Sequence, residues 1–191
     1  TSTGGLDLHC RAWAPAASPQ AVLAFCHGLG EHGGRYEHLA EALSGIGVAL
    51  VIADLRGHGR SSGKRGHVSS YREFLDDYGA AIALAREQFS EAVLFCGGHS
   101  LGGLIALGAA VEGVVPAEVR GLLISAPALA VGFEPPAWKV AAAGLLSRLA
   151  PGAQFSTGLK ADHLSHDPEV VRAYENDPLV HGKISARAYI E

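Results

Sequence analysis

Four apolar runs, at residues 21–26 (AVLAFC), 48–54 (VALVIAD), 91–97 (EAVLFCG) and 119–127 (VRGLLISAP), show little of the polar alternation of a half-exposed strand. Short uninterrupted runs rich in Val, Ile and Leu predict strands buried on both faces. Between them the apolar spacing changes to three and four. Tyr36, Leu39, Leu43 and Ile46 recur at helical spacing, with Gly45 and Gly47 as stop signals. Tyr71, Phe74, Leu75, Tyr78, Ile82, Ala85 and Phe89 mark one face of a long helix, and residues 101–113 (LGGLIALGAAVEG) have helical length with small residues that allow close packing on a sheet. Residues 6–13 (LDLHCRAW) alternate Leu6, Leu8, Cys10 and Ala12 with more polar neighbours, as an edge strand with one solvated face does. Buried strands alternating with helices predict an α/β fold, a mostly parallel sheet covered by helices on both faces.

After Pro127 the rhythm breaks. Residues 133–152 (FEPPAWKVAAAGLLSRLAPG) read as a helix with Val140, Leu145, Leu146 and Leu149 as apolar contacts, ended by Pro151 and Gly152. A second helix is predicted from Pro168, capped by Asp167 and stopped by Pro178, and no further strand is read before Glu191. The division expected is a core over 1–127 and a helical cap or lid insertion over 128–191.

Composition narrows the partners. With 191 residues, 48% of them hydrophobic and 18% charged, the chain can bury one substantial core. A net charge of -4 and the absence of a Lys/Arg run give no electrostatic basis for nucleic acid or for an anionic membrane surface. No apolar stretch reaches the length of a membrane span, and the first residues lack the basic and apolar regions of a secretory signal, so a cytoplasmic setting is expected. Cys10, Cys26 and Cys96 form no C-x-x-C pair and sit in strand-like runs, where a small buried hydrophobe is the plain reading. The sequence contains no Met, which leads us to expect a trimmed start.

The chemistry centres on Gly98-His99-Ser100-Leu101-Gly102, a G-x-S-x-G pattern between a predicted strand and a predicted helix. That context is the one a strained nucleophile turn requires, with small residues on both sides of an exposed serine. An oxyanion formed at Ser100 needs backbone donors. The amide of Leu101, at the positive end of the following helix, is one. The amide of Leu29, in the His27-Gly28-Leu29-Gly30 loop after an earlier strand, is expected to be the second. The same loop raises a rival, since Gly28, Gly30 and Gly33 spell a dinucleotide fingerprint and Asp54 ends the next strand. Against it, the helical periodicity begins only at Tyr36, too late for a helix N-terminus to hold a pyrophosphate, and Asp54 heads a turn-rich loop where a carboxylate caps amides. No cofactor is expected. The histidines lack ligand spacing, so no metal is expected either. His99 neighbours Ser100 and projects elsewhere, His27 is expected to support the oxyanion turn, and His163, His166 and His181, with Asp162, Asp167 and Asp177 nearby, read as solvated helix ends.

HGLGEHGGRY, DLRGHGRSSGKRGH, GHSLGG, LISAPAL and NDPLVHG stand in an order and spacing that resembles the monoacylglycerol lipase and lysophospholipase group of α/β-hydrolases, over nearly the whole chain. The resemblance implies an α/β-hydrolase fold and ester hydrolysis through an acyl-enzyme, with Ser100 as nucleophile and Leu29 and Leu101 as oxyanion donors. It further implies a cap from about Ala128 that receives the acyl chain of a lipid-like ester, with transient contact to a lipid surface. In that group the triad acid and histidine follow two later strands, so both are expected beyond Glu191, together with the strands that carry them. A non-catalytic binding module of the same fold is the alternative reading, and an NAD-dependent oxidoreductase the distant one.

Overall fold

The computed structural model describes residues 2–130 and 136–191. A hairpin of β1 (Ser2–Thr3) and β2 (Leu6–Asp7) precedes β3 (Cys10–Trp13) and β4 (Ala21–Cys26). A 3-10 turn (Gly33–Tyr36) leads into α1 (Glu37–Ser44), followed by β5 (Val48–Ala53), α2 (Tyr71–Gln88), β6 (Val93–His99), α3 (Leu101–Val111) and β7 (Leu122–Ser125). Beyond them lie α4 (Ala137–Leu149), β8 (Gln154–Ser156), a 3-10 turn (Ala161–His163), α5 (Pro168–Glu175), β9 (Lys183–Ser185) and α6 (Ala186–Ile190). Five strands form the main sheet in the order β3-β5-β4-β6-β7, all neighbours parallel except β3, which runs antiparallel along β5.

Side-chain alternation explains why the central runs are apolar throughout. In β4, Val22, Ala24 and Cys26 face the cluster built with α2 and α3, which includes Phe74, Tyr78, Ile82 and Ile105. Leu23 and Phe25 face the opposite way, with Leu50 and Ile52 of β5, onto Tyr36 and Ala40. Each fully buried Leu or Ile of this kind contributes about 1.5–3 kcal/mol. Tyr78 adds a polar tie inside the core, its hydroxyl accepting the Gly97 amide at 2.8 Å and lying 3.0 Å from the Ala24 carbonyl, so that one side chain joins β4 to β6.

The segment 6–13 departs from a continuous edge strand. It splits into β2 and β3, because Leu8 between them turns inward and is buried. The all-helical reading of residues 128–191 is corrected: β8 and β9 pair antiparallel, with Phe155 opposite Ile184. The helix over 133–152 is present from Ala137 to Leu149, while residues 133–135 of that reading lie outside the described residues. Its packing face is also corrected. Ala143 and Ser147 are its buried positions, one turn apart, whereas Val140, Leu145 and Leu149 are exposed. Small side chains let α4 approach α6 closely, and the bulky ones are left outward. The helix from Pro168 has the cap expected, with the Asp167 carboxylate accepting the Glu169 amide at 2.9 Å.

Residues 136–191 rest on the loop that follows β5. The Lys64 ammonium donates to the Gly152 carbonyl at 2.6 Å, the Gln154 side-chain amide donates to the Arg65 carbonyl, the Ser185 backbone amide donates to the Gly66 carbonyl at 2.9 Å, and His67 Nδ1 lies 2.8 Å from the Ser185 hydroxyl.

Candidate active site

Ser100 joins β6 to α3 with φ 54° and ψ -120°, a left-handed conformation that a residue with a Cβ holds only when its surroundings impose it, at a cost of about 1–3 kcal/mol. Three backbone hydrogen bonds impose it. The Ser100 amide donates to Ser125 of β7 at 3.0 Å, and its carbonyl accepts the amides of Leu104 at 3.1 Å and Ala128 at 3.0 Å. The flanking glycines are a steric requirement of the same turn. A Cβ on Gly98 would lie 2.2 Å from the Gly102 carbonyl oxygen, and one on Gly102 would lie 2.1 Å from that of Cys26. Ser100 is half-buried, and no side chain among the described residues hydrogen-bonds its hydroxyl.

The loop after β4 faces this turn. A Cβ on Gly28 would sit 3.3 Å from the Ser100 Cβ, so the loop passes directly against the serine. The Gly28 amide donates to the Glu31 carboxylate at 2.7 Å, and that carboxylate also accepts the Tyr36 hydroxyl at 2.6 Å. Gly30 adopts φ 79°, and its carbonyl accepts the His181 amide at 2.8 Å. Between these two tethered peptides the Leu29 amide has no acceptor among the described residues, and the Leu101 amide, first in α3, likewise has none. Both loops leave the carboxyl ends of neighbouring parallel strands toward helices on opposite sheet faces, the position where an open α/β sheet forms a crevice.

The histidines are engaged elsewhere. His27, fully buried, accepts the Leu55 amide on Nε2 at 2.9 Å and thereby donates from Nδ1 to the Gly28 carbonyl at 2.8 Å, supporting the turn as its position suggests. His58, also fully buried, donates from Nδ1 to the Arg56 carbonyl at 2.9 Å. Its ring centroid lies 5.5 Å from that of His27 and 4.8 Å from that of His181. Burial pushes all three imidazoles below the ordinary histidine range, His58 furthest, with the neighbouring His27 adding to the effect there. His99 lies 3.0 Å from the Ser125 hydroxyl across β6 and β7. His163 and His166 are at the exposed surface.

Two residues read as solvated helix ends are placed otherwise. His181 packs between the loops after β4 and β5, its amide bonded to Gly30, with Nδ1 accepting the Lys183 amide at 3.3 Å and Nε2 donating to the Gly57 carbonyl at 3.1 Å. Asp177 pairs with His32 Nε2 at 2.8 Å. Burial alone would raise the Asp177 pKa, but the His32 hydrogen bond and the Leu179 amide hold it below the usual carboxylate range. These contacts had no signature in the spacing, since the two partners stand 145 residues apart. Asp54 caps its loop as expected. It is fully buried, and its carboxylate accepts the amides of Gly33 at 2.8 Å and Arg60 at 2.9 Å and pairs with Arg11 at 2.8 Å. Buried in this way, the carboxylate is not exposed to a ribose. No group of three or more His, Cys, Asp or Glu among the described residues converges as a metal ion requires.

The family described as serine aminopeptidase, S33 matches residues 17–191. A monoacylglycerol lipase of Mycolicibacterium smegmatis is 38% identical over 184 residues, covering 96% of this chain and 65% of its own. Phospholipase YtpA of Bacillus subtilis is 34% identical, covering 92% of this chain and 67% of its own. Among solved structures, the monoacylglycerol lipase of Paleococcus ferrophilus superposes with a TM-score of 0.79 at 38% identity, over 96% of this chain and 68% of that one. The chain thus spans about two thirds of the length of these relatives.

Proposed function

From the premise that the chain belongs to the serine aminopeptidase S33 family, within the α/β-hydrolases and similar to monoacylglycerol lipases, we propose that it forms the nucleophile and oxyanion half of a carboxylic ester hydrolase acting on lipid-type esters. One observation carries the reading: Ser100 is held in a strained turn against Gly28, and the amides next along the two loops, Leu29 and Leu101, have no acceptor of their own among the described residues. Two such donors suit the charge that develops on an acyl oxygen.

In this mechanism the Ser100 oxygen attacks the acyl carbon, its proton passes to a base, and the carbonyl oxygen becomes an oxyanion donated to by the amides of Leu29 and Leu101. The base then protonates the departing alcohol, and water releases the acid from the acyl-enzyme. Each histidine near the turn is held by hydrogen bonds to other groups, so none of them is assigned as the base. Residues 128–191 serve as the cap over the 1–127 core. Exposed Trp138, Val140, Leu145 and Leu149 of α4 offer apolar surface to the acyl chain and to the lipid that presents it. The named substrates of the relatives, a monoacylglycerol and a phospholipid, make a single-chain glycerol ester the first to test.

In the full-length protein, Ser100 is expected to be labelled by an alkyl phosphonate, and Ser100→Ala should remove both labelling and ester turnover, a loss of roughly a million-fold in kcat. Wild-type turnover by the Ala variant would refute the assignment.

A further inference from the structure

The region around Asp177 is joined to the loop against Ser100 at two points, one made by the Asp177 carboxylate itself and one by a backbone bond from the turn that carboxylate caps. Asp177 Oδ2 lies 2.8 Å from His32 Nε2, while His32 Nδ1 accepts the Gly34 amide at 3.1 Å, so the ring is the Nε2–H tautomer and donates to the carboxylate. The other oxygen, Oδ1, accepts the Leu179 amide at 2.8 Å, and the Asp177 carbonyl accepts the Val180 amide at 3.1 Å. That turn presents the next amide, His181, to the Gly30 carbonyl at 2.8 Å. The fit leaves no slack on the Gly30 side, where an added Cβ would lie 2.3 Å from the His181 carbonyl oxygen. A third contact lies beside these, with the Arg35 guanidinium 4.7 Å from the centre of the Tyr174 ring.

We infer that Asp177 is a positioning residue for the oxyanion donor: through His32 on one side and the His181 amide on the other, it fixes the Leu29 peptide at the height the transition state requires. The loop is then held at three places: Gly28 by Glu31, Gly30 by His181, and His32 by Asp177. Only the first of these belongs wholly to the core. The donor is therefore correctly placed when the cap segment is seated, which couples cap docking to the chemistry. The inference rests on the assignment of Leu29 as a donor.

The test uses the full-length enzyme and a short soluble ester, so that acyl-chain binding contributes little. Asp177→Ala should lower kcat by about ten- to a hundred-fold, less than outright loss of a donor, which costs 10²–10³. KM should stay within about two-fold. Affinity for a trifluoromethyl ketone, which forms an oxyanion on Ser100, should fall in parallel with kcat/KM, while affinity for the product acid is retained. Asp177→Asn, which keeps one acceptor oxygen, should lie between wild type and Ala. If Asp177→Ala fails to fold, the Asn variant carries the same comparison. Unchanged kcat, or a rise in KM alone, or undiminished trifluoromethyl ketone affinity overturns the positioning role. Phosphonate labelling separates the two assignments. A wild-type protein that labels at Ser100 while the Asp177 variants match it in kcat refutes this inference alone, whereas a wild-type protein that does not label refutes both.

Discussion

His58 packs against both His27 and His181, and each of the three rings is fixed as a neutral tautomer by the backbone groups around it. Their pKa values are lowered on folding, by burial first, so the unfolded chain takes up protons near pH 6.5 that the folded chain refuses. Their neutral forms cost nothing above that pH, and stability is lost as pH falls below it. We expect the melting temperature to drop between pH 7.5 and 5.5, with a limiting slope of about 1.4 kcal/mol per pH unit for each group. His58→Gln should flatten the slope, as followed by circular dichroism. Asp54 and Asp177 act in the same direction but in another window, because their depressed pKa values remove stability only as pH falls through the ordinary carboxylate range and below. At this scale the sequence was legible where chemistry is local. The glycines around Ser100 and the carboxylate of Asp54 serve groups within a few residues in the chain or in an adjoining loop. The His32–Asp177 pair was not legible, since only the folded chain brings its members together.

Among the elements, the strands that read most clearly are those buried on both faces, β4 and β5, where every position is apolar. β8 and β9 escaped notice for the opposite reason. Each has three residues, β8 is exposed throughout, and their pairing comes from backbone bonds that composition does not record. For α4 the periodicity was visible but its meaning was inverted, because packing selected Ala143 and Ser147 over the larger side chains. The outward apolar face leads to an expectation for the element as a whole. Leu145→Asp with Leu149→Asp should leave thermal stability within about 0.5 kcal/mol, as exposed changes do. The same pair should reduce turnover of a long-chain monoacylglycerol in vesicles far more than that of a soluble acetate ester. Equal loss on both substrates would remove α4 from the acyl site.

For the molecule as a whole, the main sheet ends on β7, where Leu122 and Leu123 are 40% and 52% exposed and Phe95 of the neighbouring strand is 36% exposed. An apolar edge with open backbone groups is a template for pairing. The 191 residues expressed alone should therefore self-associate at micromolar concentration, and Leu123→Lys should shift them toward monomer, as read by light scattering. At the other end of the assembly, residues 64–67 are bonded to Gly152, Gln154 and Ser185, and Gly30 is bonded to His181. Bonds at several points along this base oppose a swing about a single hinge. Under the proposed function, substrate is expected to enter by a local parting near α4 and the exposed turns, while the bonded floor stays shut. Amide exchange should report that division, with the Ser185 and His181 protons slow and those of the outer cap fast.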